Sequence, residues 1–444
     1  MRQDEDDALV GVVVLPADRV ERGIGRVPRC ILHAALYGAS AVFATCAALQ
    51  RLPALRTWGR IAFGPYLVAA LLAGASGIRS RRRPVQAESL TRYLAVSLVV
   101  CTLIVPLVVE VAARTSTGAE RLVQPEARVV EDAAAVLAHE SNPYTAHYGI
   151  GSATEPNRVV GPLPYLPAML VFGVWKVALP WAPMADARVA FAAFTLLMVA
   201  VAIGLWRGPG RLLAILPLVV LPTGTMALVT GGDDIPVQAL MLLALVMLSR
   251  RRPIVAGILI GLAASMKQLA WPMVPLVALA SKDRDGEPVR SHTFVASLAV
   301  MGLVLVPFAG WDLKAFVDDV VRFPLGAGPW ASPAASPTLG HLLVTALPDA
   351  RPFLLAVLPL AAIGGFAILC LRGRSWTPAR VAGYTGAFLA VTIVFGASTR
   401  FGLLSYPLDL ALWGWLLTRD GPEGLGARPD PRLAASSPRE PARE

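Results

Sequence analysis

The stretch TRYLAVSLVVCTLIVPLVVEV, residues 91–111, decides which class of protein this is. As a helix it would be about 30 Å long, which matches the hydrocarbon thickness of a bilayer. Other apolar runs recur along the chain, at residues 30–50, 59–78, 187–206, 211–230, 234–249, 254–281, 292–310, 352–371, 381–396 and 402–418. The chain therefore reads as a series of membrane-spanning segments.

The composition agrees with that interpretation. Of 444 residues, 55% are hydrophobic and only 16% are charged, which is too apolar for a soluble protein of this size. Helices satisfy every backbone N–H and C=O group inside lipid, so the sequence predicts an all-α polytopic membrane protein. The four cysteines lie in or beside apolar runs without CxxC spacing, which indicates neither disulfides nor a metal site.

The net charge of +10 comes from arginines placed between the apolar runs, as at residues 79–83 and 249–253. This pattern is typical of cytoplasmic loops of membrane proteins. It argues against a nucleic-acid partner and predicts membrane lipids as partners, in the plasma membrane. Residues 1–29 are predicted to be a cytoplasmic tail and residues 30–90 to contain two extra N-terminal spans.

Two regions fix the predicted topology. Residues 161–181 are rich in proline, and placing them on the outer leaflet keeps the arginines at 249–253 inside. Splitting 254–281 into two short spans keeps the later arginines inside as well. The result is about twelve transmembrane helices, an outer loop at 112–181, and a disordered cytoplasmic tail at 419–444.

A polar island interrupts the apolar runs at residues 112–160. Its acids are Glu120, Glu126, Glu131, Asp132, Glu140 and Glu155. Pro125 suits the first turn of a helix, so Glu126 would lie at the positive end of the helix dipole. Asn142-Pro143 predicts the stop of that helix. The plain alternative is that these acids form a solvated helix face.

The order of these features resembles the first outer loop of GT-C glycosyltransferases. An acid follows an early span, a turn ending in Pro-Tyr comes about fourteen residues later at 143–144, and GPLPYLP follows at 161–167. The resemblance is nearest to the actinobacterial, polyprenyl-phosphate-mannose-dependent mannosyltransferases of glycosyltransferase family 87. It covers roughly residues 90–415, and the predicted catalytic domain is 91–418, with juxtamembrane helices in its first outer loop.

Later segments are similar to the same family in order and topology. They are GGDDIPVQALMLLAL (231–245), RRPIVAGILIGLAASMKQLAWPMVPL (251–276) and FGASTRFGLLSYPL (395–408). The catalytic acid of the family is usually Asp, whereas Glu126 occupies the matching position here, and Glu140 stands where the family often has Gly. The resemblance therefore leaves the base open among Glu126, Glu131 and Asp132.

Further candidates follow from ionisable and aromatic residues near the membrane. The candidates for binding the donor phosphate are Lys267, Arg400 and Arg322. The candidates for the substrate pocket are Asp233, Asp234, Asn142, Tyr144 and Tyr165. Each has a plain alternative: a snorkelling lysine, an interface arginine, a helix N-cap for the Asp pair, and an aromatic belt for the tyrosines.

The leading hypothesis is an inverting glycosyltransferase that acts on the outer face of the membrane. It would move a hexose, with mannose favoured, from a polyprenyl-phosphate donor to a glycolipid or polysaccharide acceptor. No tightly bound cofactor is expected, and the sequence leaves open whether a divalent metal assists. The alternatives are a transporter or lipid flippase, or a non-catalytic scaffold. Ionisable residues of a transporter would be expected near mid-membrane, whereas most acids here are in outer loops.

Overall fold

A computed structural model shows the chain as a helical bundle. The residues that it describes are 29–79, 84–118, 122–149, 160–179, 185–206, 208, 210–283, 285–328, 330, 332–371 and 376–424. The predicted cytoplasmic tail before Arg29, the acids Glu120 and Glu155, and the C-terminal tail beyond residue 424 lie outside them.

The α-helices are α1 Arg29–Ala48, α2 Pro53–Arg79, α3 Pro84–Leu98, α4 Val105–Thr117, α5 Pro125–Ala138, α6 Val174–Ala178, α7 Ala187–Leu205, α8 Arg211–Val219, α9 Pro222–Thr230, α10 Asp234–Ser249, α11 Pro253–Ala264, α12 Met273–Leu279, α13 Arg290–Trp311, α14 Leu313–Val317, α15 Leu339–Ala346, α16 Ala350–Leu371, α17 Pro378–Phe395 and α18 Ser405–Gly424. The 3-10 helices are Pro167–Gly173, Gln268–Ala270 and Phe401–Leu404, and the π-helices are Val99–Ile104 and Asp318–Arg322. Two short antiparallel strands, β1 Tyr148–Gly149 and β2 Val160–Gly161, pair in the first outer loop.

Within the described residues, seven helical segments are long and apolar enough to cross a membrane. They are Cys30–Ala48, Pro53–Ser76, Ser89–Thr117, Ala187–Leu205, Arg211–Thr230, Arg290–Trp311 and Pro378–Phe395. Shorter apolar helices include Asp234–Ser249 and Pro253–Ala264. The predicted class of all-α membrane protein is confirmed, while the number of twelve spans stays a prediction.

The segment after α10 runs out and back. Arg251, just past the end of α10, donates a hydrogen bond of 3.4 Å to the carbonyl of Asp283. Between these two residues, α11 leads to Lys267, which contacts Asp233 at the opposite end of α10. The break at Lys267 thus separates two short helical segments. That residues 254–281 span the membrane twice stays a prediction.

The proline-rich segment after the first loop forms only a 3-10 helix, Pro167–Gly173, followed by the five-residue α6. The two together are too short for a membrane crossing. They pack against α5 so closely that a Cβ atom at Gly173 would collide with the carbonyl of Val130. That residues 161–181 lie on the outer leaflet stays a prediction.

Two residues from later parts of the chain, Asp319 and Gln268, hold the GPLPYLP segment in place. The backbone N–H of Leu163 donates to Asp319 Oδ2 at 3.0 Å, and the side-chain amide of Gln268 donates to the carbonyls of Pro164 and Val320. Burial raises the pKa of Asp319 to about 7. Asp319 was not among the predicted site residues, because its position beside Leu163 depends on a contact across most of the chain.

The two N-terminal helices, α1 and α2, pair with each other and dock on the rest of the bundle. The indole N–H of Trp58 donates to the carbonyl of Thr102 at 2.9 Å, inside the π-helix that joins α3 to α4. The hydroxyl of Tyr66 donates to the carbonyl of Val220 at 2.6 Å, at the break between α8 and α9. Both donors are fully buried, so the added helices form part of the core.

Helix α18 extends beyond residue 418, the predicted end of the catalytic domain, and continues to Gly424. The disordered cytoplasmic tail stays a prediction. The guanidinium of Arg419 lies 5.3 Å from the ring centroid of Trp415, one turn earlier. This cation–π contact supports the extra turn.

Helix α5 begins at Pro125, as the sequence predicted, and ends at Ala138, four residues before the predicted stop at Asn142-Pro143. The chain then turns through Glu140, which has a φ of 57°. A left-handed backbone is costly for a residue with a Cβ atom but not for glycine. Glu140, at the position where the family resemblance leads us to expect Gly, is therefore strained.

Replacing Glu140 with Gly should stabilise the protein by about 1 kcal/mol, because it removes this strain. Thermal unfolding in detergent would measure the change. Ala135→Gly, in the interior of α5, is the matched control and should destabilise by about 0.5–1 kcal/mol. A destabilising Glu140→Gly would contradict the assignment of strain to Glu140.

The raised pKa of Asp319 predicts a pH dependence of stability. The folded-state pKa lies above that of the unfolded chain, so the stability held by the neutral carboxyl is complete below about pH 4 and is lost as the pH rises through about 7. Asp319→Asn keeps an acceptor for Leu163 but carries no charge. It should be more stable than wild type by about 1–2 kcal/mol at pH 8, and equal at pH 4, after allowance for solvent screening.

The neighbouring carboxylate gives the control for that measurement. Asp318 pairs with Lys314 and Arg322, and hydrogen bonds from these two lower its pKa. Asp318→Asn should therefore give no gain at pH 8. Identical pH profiles for wild type and Asp319→Asn would show that the Asp319 carboxylate is not destabilised by burial.

Candidate active site

A buried lysine joins the two halves of the α10–α12 region. The ammonium of Lys267 lies 2.6 Å from Asp233 Oδ1 and 2.6 Å from Asp234 Oδ1. The hydroxyl of Tyr406 donates to the same oxygen of Asp234 at 3.0 Å. The ring of Tyr165 lies beneath the ammonium, with its centroid 5.4 Å away. Four chain segments thus converge on one cation.

Local sequence explains how the two aspartates reach Lys267. Helix α9 ends at Gly231, whose φ of 111° only glycine adopts readily, and the chain turns there toward α10. Asp233 occupies the N-cap position of α10, but its side chain makes no capping hydrogen bond. Its carboxylate binds Lys267 instead. The plain interpretation of this pair as a helix cap is therefore wrong.

Lys267 is likewise not a snorkelling lysine, because only 8% of it is exposed. Burial opposes its charge, but the carboxylates of Asp233 and Asp234 raise the pKa of Lys267 above its usual range. Burial raises the pKa of Asp233, against the attraction of Lys267. The cation is fixed in its charged form.

Glu126 reaches the same region from the first outer loop. It lies in the first turn of α5 and forms an ion pair with Arg400. The backbone N–H of Gln124, just before α5, donates to the carbonyl of Thr230 at 2.7 Å. This bond fixes the start of α5 beside the turn that carries Asp233.

Electrostatic coupling shows that the two ion-paired groups form one cluster. The charge of Glu126 acts on Asp233, Tyr165 and Arg400. We call these residues the acid cluster, which comprises Glu126, Arg400, Lys267, Asp233, Asp234, Tyr165 and Tyr406. Among its ionised groups, the carboxylates exceed the cations by one.

Glu131, the second candidate base, lies elsewhere. Its two carboxylate oxygens each accept a hydrogen bond of 2.8 Å from Arg114, and Oε1 also accepts from the backbone N–H of Ala187. Only 3% of Glu131 is exposed. With every oxygen engaged inside the protein, Glu131 is a structural residue in this fold.

The contacts of Glu131 belong to a buried ionic network that the sequence analysis missed. Asp186 accepts from Arg114 at 2.9 Å and from Arg188 at 2.8 Å, and Arg188 also pairs with Glu110 at 3.1 Å. Burial alone would raise the pKa of Asp186, but Arg188 and Arg114 lower this pKa to about 2. The network joins α4, α5 and the start of α7. Its members are far apart in the chain, so no local motif marks it.

Asp132, the third candidate base, is exposed on a different face of α5 from Glu126. Arg322 pairs with Asp318 one turn earlier in a partly exposed π-helix, and no contact joins it to the acid cluster among the described residues. The structure therefore brings Glu126 to the cluster and leaves Asp132 and Arg322 outside it.

Two predicted pocket residues, Tyr144 and Asn142, contact the segment that carries Tyr165 or shape the turn beside it. The hydroxyl of Tyr144 donates to the carbonyl of Tyr165 at 2.9 Å, and the ring of Tyr144 packs on Phe316. Asn142 Oδ1 accepts from the backbone N–H of Tyr144 at 2.9 Å and shapes the turn after α5. Both side chains are buried, so they position Tyr165 but do not line an open pocket.

A cavity of about 500 Å³ opens beside the acid cluster. It is lined by Pro333, Ala335, Ser336, Pro337, Arg400, Phe401 and Gly402. Arg400 is thus shared between the cavity and Glu126. Among the described residues, no group of three or more His, Cys, Asp or Glu side chains is placed to hold a metal ion.

Removal of the central cation should be costly. Lys267→Met leaves two carboxylates without their partner, which should destabilise the protein by about 3–5 kcal/mol. Lys314→Met, at an exposed ion pair, should change stability by less than about 0.5 kcal/mol. Unfolding in detergent measures both. The double variant Lys267→Met/Asp233→Asn should recover part of the loss, and a lack of recovery would contradict the pairing.

The comparisons with known proteins identify the family of the chain. No curated protein matches the chain. The sequence model of glycosyltransferase family 87 matches residues 161–399, more than half of the chain. The match includes Tyr165, the Asp233–Asp234 pair and Lys267, and it ends one residue before Arg400. The chain belongs to glycosyltransferase family 87.

Proposed function

We propose that this glycosyltransferase moves a hexose, with mannose favoured, from a polyprenyl-phosphate donor to a glycolipid or polysaccharide acceptor. The observation that carries the proposal is the ion pair of Glu126 with Arg400, next to the buried Lys267. An ionised carboxylate beside an open cavity is what activation of an acceptor hydroxyl requires. A lipid-linked donor fits a site built at the ends of apolar helices.

Glu126 is the proposed general base. The acceptor hydroxyl gives its proton to Glu126 as its oxygen attacks the anomeric carbon of the donor sugar. The bond from that carbon to the phosphate oxygen breaks at the same time, and its electron pair leaves with the lipid phosphate. Attack opposite to the leaving group inverts the anomeric centre. Arg400 holds the Glu126 carboxylate in place through their ion pair.

Lys267 and the Asp233–Asp234 pair are the proposed donor side of the site. Lys267 is the buried cation of the acid cluster, and a fixed charge in a dry site stabilises negative charge more strongly than one in water. Asp233 Oδ2 is buried with no hydrogen-bond partner among the described residues, which leaves an acceptor for a sugar hydroxyl. Binding of the donor phosphate by Arg322 or Arg400 stays a prediction.

The proposed active site faces the outside of the membrane. Asp234 begins α10, and Arg250, Arg251 and Arg252 follow its other end. Arginine-rich connections favour the cytoplasmic side of a plasma membrane. The acid cluster then lies at the outer end of α10, where a lipid-linked sugar displayed on the outer leaflet would reach it.

Reconstitution of the purified protein with radiolabelled polyprenyl-phosphate mannose and a membrane lipid extract tests this function. Wild type should transfer label to an acceptor lipid or glycan. Glu126→Gln should lose about 10²–10⁴-fold in rate while it remains folded, because the amide cannot accept the proton. Asp132→Asn should keep near wild-type activity.

Two controls separate a catalytic loss from a folding loss. Glu140→Gln removes an exposed acid from the same loop and should be silent. Glu131→Gln should lower the melting temperature, because it weakens the contacts with Arg114. Full activity of Glu126→Gln would refute Glu126 as the base. Absence of transfer by wild type across a broad set of polyprenyl-phosphate donors would refute the proposed reaction.

A further inference from the structure

We propose that the cavity beside Arg400 binds the sugar ring that accepts the transferred hexose, with Phe401 as its stacking face. The inference rests on the proposed function, because it assigns a role in the same reaction. It assigns a function to residues in the ranges 333–337 and 400–402, which line the cavity and for which the proposed base, Glu126, gives no role.

The cavity is a built feature, because hydrogen bonds hold its two walls together. The backbone N–H of Ser336 donates to the carbonyl of Thr399 at 3.0 Å. The backbone N–H of Thr399 donates to the carbonyl of Ala334 at 2.9 Å. The N–H of Phe401 donates to Ser336 Oγ at 3.1 Å, and Ser398 Oγ donates to Ala334. These bonds fix the position of Phe401 relative to the proline-rich wall.

The lining suits a sugar ring. A volume of about 500 Å³ lies within the range of small-molecule sites, roughly 300–1,000 Å³. Phe401 is 53% exposed and presents an aromatic face, on which the apolar C–H face of a pyranose can stack. Ser336 and Arg400 supply polar groups for hydroxyls. The lining thus offers both polar and apolar surface to a ligand beside an open cavity.

Two buried hydroxyls in residues next to the cavity walls also favour a ligand at this site. Thr399 and Thr338 are 3% and 7% exposed, and their hydroxyls have no hydrogen-bond partner among the described residues. A buried polar group without a partner is costly unless a ligand or water satisfies it. Both residues adjoin the cavity walls in sequence, at Arg400 and Pro337.

The geometry of inversion places this cavity on the acceptor side. The attacking oxygen must lie within about 3 Å of the base, and the anomeric carbon about 3 Å beyond that oxygen. The leaving phosphate is then on the far face of the sugar from Glu126. Because the Arg400 guanidinium is bonded directly to Glu126, it lies on the near face. In the proposed inversion, Arg400 thus lies on the side of the acceptor.

The charge balance favours a neutral ligand over a phosphate. Arg400 is the single charged residue among those lining the cavity, and its charge is compensated by Glu126. The cavity thus carries no excess positive charge to attract an anion. The remaining N–H groups of Arg400, whose side chain is 44% exposed, can still donate to hydroxyls.

Steady-state kinetics test the assignment. Phe401→Leu should raise the KM for the acceptor about 10-fold and change the KM for the donor less than 2-fold, because the stacking face is lost. Phe401→Trp should restore the acceptor KM. Phe353→Leu replaces an exposed ring on α16, away from the cavity, and should change neither constant. A rise in the donor KM, or no change in either, would overturn the inference.

Saturation-transfer NMR gives a readout that does not need catalysis. Methyl α-mannopyranoside should give signal with wild type and Phe353→Leu, and several-fold less with Phe401→Leu. Excess inorganic phosphate should not displace it. Displacement by phosphate, equal signals from all three proteins, or no signal from wild type would overturn the cavity as a sugar site. Sugar binding without transfer would leave the cavity assigned and refute the reaction instead.

Discussion

The Lys267 ammonium between Asp233 and Asp234 is the contact on which the rest of this site depends. It connects the turn between α9 and α10 to the break between α11 and α12, and these two points have no other reason to meet inside an apolar bundle. A buried cation is tolerable only with its counter-charges in contact, so the ion pairs fix the break of the α11–α12 hairpin at the level of the start of α10. Tyr165 then approaches the same cation, and Tyr406 bonds Asp234, from two further segments.

Around this contact, the protein separates the groups that hold the fold from those that face substrate. Arg114, Asp186 and Arg188 lock Glu131, and with it the body of α5, against α4 and α7. The first turn of α5 projects beyond that lock and carries Glu126 to Arg400. In the proposed reaction, the same short helix thus presents one catalytic and one structural carboxylate. Both carboxylate oxygens of Glu131 accept hydrogen bonds inside the protein, whereas Glu126 is bonded to Arg400 through Oε1.

The sequence predicted the fold class, the start of α5 at Pro125 and the group of Glu126, Lys267 and the Asp pair, because these features depend on local periodicity, proline positions and the cost of charge near lipid. It could not choose between Glu126 and Glu131, since that choice depends on Arg114 and Asp186, which are distant in the chain. Arg322 was grouped with Arg400 on charge alone, yet only Arg400 follows a loop that returns to α5. The sequence did not predict Asp319 or the ionic network of Arg114 and Arg188, because their partners are determined by tertiary contacts.

The length of α10 has a consequence for the environment of the reaction. Its 16 residues make a helix of about 24 Å, shorter than the roughly 30 Å of a hydrocarbon core. One end must therefore lie below the water boundary, and the three arginines at its C-terminal end require that end to stay hydrated. The acid cluster is then recessed several ångströms into the low-dielectric layer. In the proposed reaction, a lipid-linked sugar would reach the cluster by sinking its headgroup, and bulk water, the competing nucleophile, would be kept at a distance from the anomeric carbon.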